Sequence, residues 1–242
     1  MSVPEPGLPL VTVIAANVIM SIASALQASV GIGLALLAVP LLALLDPRLV
    51  PGPMLLAGSV LALGSACRER HAVDPRSFGL SLLGLATGSV VGALALRAID
   101  AQHLRKIFAM VILLAVVLSV LRLRVRPTRP ALFAGAGVAG VMGTMVGIHG
   151  PPIALVFQHA RPDQARAMLG AFFFVAYLGS VVVLAVFGLF GIPHLTLAAW
   201  LLPGVIAGLL VAPRLAGLIS PSRLRVAILS ISASSAFLLL LR

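Results

Sequence analysis

Residues 8–26 and 77–96 contain no charged side chain, and each run is close to the roughly 20 residues a helix needs to cross the hydrocarbon of a bilayer. A water-soluble core has no need for apolar runs of that length. The rest of the chain agrees: 61% of residues are hydrophobic, 10% are charged and the mean hydropathy is +1.18, whereas a soluble domain carries about a quarter charged residues. The chain reads as an integral membrane protein that crosses the bilayer many times.

Hydropathy and helix breakers divide it into ten apolar pieces, approximately 8–26, 29–45, 53–67, 77–96, 107–121, 131–148, 151–158, 167–190, 195–212 and 226–241. The seventh is too short to span unaided and reads as half of a re-entrant or hairpin element. Residues 1–7 hold Glu5 and no Lys or Arg, so they lack the charged start of a cleavable signal peptide. The first apolar piece is therefore expected to remain in the mature protein.

The net charge of +11 does not point to nucleic acid, because the basic residues lie in short loops between apolar pieces and form no basic face interleaved with aromatics. Loop arginines of this kind set topology or meet anionic lipid headgroups. Cys67 is the only cysteine, which excludes a disulfide framework and a multi-cysteine metal site. No cofactor is expected.

The two halves of the sequence match one another. Val30-Gly31-Ile32-Gly33 aligns with Val146-Gly147-Ile148-His149 at an offset of 116, and Gly58-Ser59-Val60 with Gly179-Ser180-Val181 at 121. Ile99, Leu104 and Arg105 align with Ile219, Leu224 and Arg225 at 120, which also places Gly84 and Gly88 on Gly204 and Gly208. The reading is an all-α membrane protein of two five-helix repeats, residues 1–126 and 127–242, forming one integrated membrane domain. Each repeat opens with a broken or hairpin helix element. Five is odd, so the second copy should enter the membrane inverted.

The positive-inside rule agrees. With both termini outside, most of the 17 Lys and Arg fall on the cytoplasmic side, from Arg68, Arg70 and Arg76 to Arg214, Arg223 and Arg225. One external loop, 97–106, runs against that bias with Arg97, Arg105 and Lys106. The expected location is the cell (inner) membrane.

Gly84, Gly88 and Gly92 recur every four residues and share one helix face, as do Gly204, Gly208 and Ala212. Small residues at that spacing let helix backbones approach closely in lipid, so a tight seam is expected at each. Such glycine-lined faces also suit a homodimer.

All six acids, Glu5, Asp46, Glu69, Asp74, Asp100 and Asp163, lie in expected loops or the N-terminal tail. Cation and proton carriers usually rely on carboxylates inside the membrane, and magnesium-dependent membrane transferases need paired acids. Both classes lose ground. The sharpest local feature is Thr144-Met145-Val146-Gly147-Ile148-His149-Gly150-Pro151-Pro152. Gly147 and Gly150 permit an unusual backbone, and Pro151 and Pro152 suit a first helical turn. A helix therefore breaks and restarts within the membrane, which is tolerated only where protein or a wet cavity covers it. A restarted helix presents free N–H groups and a positive dipole end to an anion. The repeat mate of this tract is Gln27-Ala28-Ser29-Val30-Gly31-Ile32-Gly33, and paired breaks in inverted halves are the best pointer to a transporter's binding site.

The tract 140–155, centred on Gly147-Ile148-His149-Gly150-Pro151-Pro152, resembles the second-repeat signature of the TauE/SafE sulfite exporter family, in which a glycine-rich turn leads into a Gly-Pro-Pro helix start. Residues 27–42, with Gly31, Gly33 and Pro40-Leu41-Leu42, resemble its first-repeat counterpart. Arg166-Ala167 fits an arginine that the family often carries where the next helix begins. With the repeats, the resemblance extends over nearly the whole chain. It implies transport of sulfite, sulfonates or other small organosulfur or carboxylate anions. Two departures, Leu34 and Ala35 after Gly33 in place of a denser glycine run and His149 where glycine is frequent, bear on the substrate rather than the fold.

The candidate substrate-binding residues are Gln27, Ser29, Gly31, Gly33, Thr144, Gly147, His149, Gly150 and Pro151. His149 either bonds a freed backbone carbonyl or, as a group that titrates near neutral pH, binds the anion or carries a proton. His71, His103, His159 and His194 are expected at interfaces, and Tyr177 and Trp200 as packing residues. The turns hold no basic side chain, leaving Arg161 or Arg166 to attract anions near an entrance. The chain is read as a transporter and not an enzyme. The competing classes are a Ser29–His149 hydrolase, which has no Gly-x-Ser-x-Gly motif and no buried acid, and a non-transporting membrane subunit.

Overall fold

The computed structural model describes residues 7–30, 34–68, 73–121, 125–158, 160–215 and 220–241. They form ten α-helices: α1 (Leu10–Val30), α2 (Leu34–Leu45), α3 (Gly52–Arg68), α4 (Pro75–Ala98), α5 (Ala101–Val120), α6 (Arg129–Val146), α7 (Gly150–Phe157), α8 (Pro162–Val186), α9 (Ile192–Leu215) and α10 (Pro221–Leu241). Each matches one apolar piece of the sequence. A 3-10 turn at Pro47–Leu49 links α2 to α3.

Local chemistry sets the helix ends. Asp74 accepts the Ser77 N–H at 3.0 Å and Pro75 follows it, a good start for α4. Prolines also open α8 and α10. α8 ends at Gly188 (φ 73°), where Leu189 N–H donates to Leu184 C=O and Gly188 N–H to Ala185 C=O, the double closure of a Schellman motif.

Seven helices, α1, α4, α5, α6, α8, α9 and α10, are long and apolar enough to cross a membrane. They expose large apolar side chains such as Val11 (77%), Val186 (78%) and Leu210 (67%). In water that surface would be a liability; in a bilayer it is the solvated face. The protein is a multi-pass membrane protein. α2 is apolar on every side and correspondingly enclosed, with nine of its 12 residues buried. α7, only eight residues long, is likewise sunk among its neighbours.

α4 packs along α6, α1 along α9, α3 crosses α8, and α5 packs against α10. The first two pairs are the glycine seams expected from the spacing. A Cβ on Gly84 would collide with the Phe133 carbonyl oxygen, and one on Gly88 with that of Gly137. On the other seam a Cβ on Gly204 would lie 2.5 Å from the Asn17 carbonyl oxygen, and one on Gly208 would strike that of Ser21. Both seams join helices that run in the same direction. They occupy within one chain the glycine faces that suggested a homodimer.

Side chains from other elements meet two of the helices near their internal prolines. Pro40 has no N–H for the Leu36 carbonyl one turn earlier, and the Ser232 hydroxyl of α10 sits 2.5 Å from that oxygen and 2.7 Å from its own Ile228 carbonyl. Next to Pro203 in α9, the Asn17 carboxamide bridges a whole rung of the ladder. Its Nδ2 donates to Trp200 C=O (2.8 Å), and its Oδ1 accepts the Gly204 N–H (2.6 Å).

Candidate functional site

α6 ends at Gly147, whose φ of 92° only glycine adopts without strain. Its N–H closes on Gly143 C=O at 2.7 Å. Three residues later Gly150-Pro151-Pro152 starts α7. The expected break is therefore present, and His149 stands inside it.

His149 is fully buried, and its imidazole lies flat over Gly143, where any Cβ would collide with the ring. Nε2 is 3.0 Å from the Ser180 hydroxyl of α8, and the Thr144 hydroxyl donates to the same oxygen at 3.0 Å. All three residues have 0% exposure. Ser180 accepts from Thr144 and either donates its own proton to Nε2 or accepts Nε2–H through its second lone pair, so Nδ1 is an N–H donor in one neutral tautomer and a bare acceptor in the other. Among the described residues Nδ1 has no partner. Buried polar groups are almost always paired, which sets this ring nitrogen apart. Ser24 and Ser89 also carry unmet hydroxyls, but these sit in the two glycine seams, where the backbones touch.

The Tyr177 ring packs beside His149 (centroids 5.4 Å apart) and stacks on Phe173 (6.0 Å). It also reaches the first half: a Cβ on Gly58 would lie 3.2 Å from Tyr177 Cε2 and 3.0 Å from Leu34 Cδ2. Leu34 opens α2, so Tyr177 of the second half and Gly58 of the first meet at the start of that helix. Gly147 faces the first half as well: a Cβ there would lie 3.1 Å from Val39 Cγ2 and 3.3 Å from Met54 Cε.

The described residues flanking the matching tract of the first half are arranged differently. Gly31 and Gly33 lie outside the described residues. Gln27 Oε1 accepts the Leu34 N–H at 3.1 Å, so the start of α2 is already capped by its own chain. Ser29 donates to Ala25 C=O (2.7 Å) and Ala212 C=O (3.0 Å) near the end of α9. Ser29 and His149 are thus committed to different neighbours, which leaves the hydrolase pairing without support. At the second break Pro151 and Pro152 have no N–H, so the first turn of α7 offers only Gly150 and Ile153 as donors. Side chains carry more of this site than the helix start does. Gly150 lies against Phe173, 3.7 Å from a Cβ position, and Pro151 is buried.

Sequence reasoning missed Ser180 and Tyr177 as members of the cluster. Ser180 was visible as a repeat marker, and a polar side chain in the middle of a 25-residue apolar helix is itself a signal.

The long apolar helices and the enclosed short ones define the class: among the described residues, an all-helical, multi-pass membrane protein. The sequence model of the family described as Sulfite exporter TauE/SafE matches residues 16–239, and the chain belongs to that family. Membership points to membrane export of sulfite or another anion. Comparison with curated proteins and with solved structures gives no match.

Proposed function

We propose that this chain is a secondary transporter of a small anion, namely sulfite, a sulfonate or another organosulfur or carboxylate anion, bound between the two helix breaks near the bilayer midplane. The observation that carries this reading is the unmet His149 Nδ1 beside the Thr144–Ser180 pair. In the tautomer with the proton on Nδ1, an anion accepting from Nδ1–H, with Gly150 and Ile153 N–H in reach of the same turn, would satisfy donors that hydrocarbon cannot. No fixed cation sits in the turn, which keeps binding weak enough for release. Gln27 caps the start of α2, so the anion rests chiefly on the second break.

Alternating access would follow from two inverted repeats, residues 1–126 and 127–242. The packing supports the inversion. Exchanging α1 with α6, α2 with α7, and so on to α5 with α10 carries the α4–α6 seam onto α9–α1 and the α2–α10 contact onto α7–α5. Residue by residue, Gly84 against Phe133 corresponds to Gly204 against Asn17, at the offsets of 120 and 116 found in the sequence. Residues from the end of α4 and the start of α9 line one cleft, so these mates run in opposite directions. The arginine distribution favours an orientation with that face, and both termini, on the outer side of the cell membrane.

A second reading has one observation in its favour, the 3.0 Å contact of Ser180 with His149, which a hydrolase would need. The acid that would orient the ring at Nδ1 is absent among the described residues.

The test is uptake and counterflow in proteoliposomes with sulfite, sulfonates, thiosulfate and small carboxylates at two pH values. Losing a hydrogen bond to a charged ligand is worth about 1.5–3 kcal/mol, so His149→Ala should weaken apparent affinity by about 10- to 150-fold, and Ser180→Ala, which frees Nε2 and loosens the ring, should weaken it less. Loss of pH dependence in His149→Ala alone would assign the proton to the imidazole. Unchanged uptake in His149→Ala, Ser180→Ala and Thr144→Ala, all correctly folded, would refute the site.

A further inference from the structure

On the face where α4, α8 and α10 end and α5 and α9 begin, a cleft of ≈ 300 Å³ opens. Arg105 in the first turns of α5 and His194 at the start of α9 lie in its wall, Leu239 of α10 borders it, and Val50 and Pro51 of the α2–α3 turn form part of its floor. The floor is thin. A methyl on Gly147 would stand 3.9 Å from the Pro51 Cα, so a single residue separates the cleft from the break that holds His149.

Charge favours an anion here. Asp46, in the turn beside the cleft, is engaged by Arg48 through both carboxylate oxygens (Nη2–Oδ2 2.7 Å, Nε 3.1 Å from each). Arg105 is exposed and makes no hydrogen bond or ion pair among the described residues. Its repeat mate behaves differently: Arg225 donates to the Ser119 carbonyl and caps the end of α5. The equivalent carbonyl for Arg105 belongs to Leu239, which borders the cleft, yet Arg105 does not bond it. The loop that breaks the positive-inside pattern thus places a guanidinium with no partner among the described residues in the wall of the cleft beside the proposed site.

We infer that this cleft is the outer anion vestibule of the transporter, with Arg105 as the capture residue and the Val50–Pro51 segment as the layer the anion must pass to reach His149. The inference rests on the transport reading above and adds a second binding site to it. Attraction by one exposed cation acts over about the Debye length, roughly 10 Å at 0.1 M salt, and fades as salt rises.

The experiment measures sulfite flux at low and high ionic strength in proteoliposomes, together with the sulfite-induced rise in melting temperature of the purified protein. Arg105→Gln should raise KM about three- to tenfold at low salt with the maximal rate kept, and flatten its salt dependence. Arg105→Lys should restore both, and Arg105→Gln should also reduce the low-salt thermal shift. If Arg105 merely caps α10 as Arg225 caps α5, Arg105→Gln will lower the melting temperature and leave KM, its salt dependence and the sulfite shift as in the parent; that result overturns the vestibule. A parent protein that shows an Arg105-dependent sulfite shift but no flux would sink the transport reading and leave the cleft standing as an anion site. Neither flux nor shift in the parent would overturn both.

Discussion

Replacing Gly88 by alanine adds one methyl group at the tightest point between α4 and α6, where it would overlap the Gly137 carbonyl oxygen. The obstacle is backbone, so no rotamer change relieves it and the two helices must move apart along their shared seam. Overpacking of this kind costs about 1–3 kcal/mol. Alanine also improves helix propensity over glycine by about 0.5–1 kcal/mol, and a control removes that gain. Gly79 is on the same helix with no atom within 4 Å of its Cβ position, so Gly79→Ala keeps the propensity term without the collision. The two variants should differ by the full overpacking cost. For a chain of this size that is a gap in melting temperature of about 2–12 °C, at about 2–4 °C per kcal/mol. Gly137→Ala is a sharper control, since it lies on the same seam but its own Cβ would meet only Gly84 C=O, at 3.5 Å. It should behave like Gly79→Ala. Gly208→Ala, facing Ser21 C=O, should fall with Gly88→Ala. Melting is read by size exclusion after heating in detergent. If Gly88→Ala is as stable as Gly79→Ala, the seam does not pack as described.

Ser232→Ala removes the hydroxyl that meets the Leu36 carbonyl in place of the missing Pro40 N–H and should cost about 1–3 kcal/mol; Pro40→Ala in the same chain should recover part of it by restoring the helical N–H. Asn17→Leu strips both partners from the Trp200–Gly204 rung and should destabilise by a similar amount, whereas an unchanged melting temperature would mean that the rung closes on itself. Partial burial pushes the Asp46 carboxyl up, but the hydrogen bonds from Arg48 and its charge together hold it below its ordinary value of 3.8. A carboxyl lowered in the folded state adds stability above its unfolded value and loses it as pH falls through the folded one. Asp46→Asn should therefore be less stable than the parent at pH 6, by less than about 1 kcal/mol for so exposed a pair, and equal to it in strong acid; a difference that persists at low pH would refute the assignment.

Helix existence was legible because hydropathy and proline positions are local properties, and every apolar piece became a helix. The seams were legible because a four-residue glycine spacing has few other uses in lipid. The second break was legible from Gly147 to Pro152, since φ > 0 and two consecutive prolines leave the backbone little choice. What stayed hidden depends on contacts between distant elements. Ser180 lies 31 residues from His149, and nothing in its own neighbourhood says that its hydroxyl meets the imidazole. The matched breaks looked alike as sequence, but Gln27 aligns with Gly143 and Gly33 with His149 at the offset of 116. One break carries its polar side chain before the turn and the other within it. Gln27 caps the start of α2 whereas His149 keeps a ring nitrogen without a partner among the described residues, a difference that emerges only when the side chains are placed.

The Asn17 bridge also has a consequence for how the chain is made. Asn17 and Trp200 are separated by 183 residues, whereas α4 and α6 are close in the sequence. At about 5–20 residues per second, α1 stands in the bilayer for on the order of 10–40 s with its small-residue face uncovered and its carboxamide lacking the Trp200 and Gly204 partners. The α4–α6 pair closes long before that. During synthesis, therefore, the second seam forms long after the first, and the first helix waits for its ninth through most of the chain's assembly.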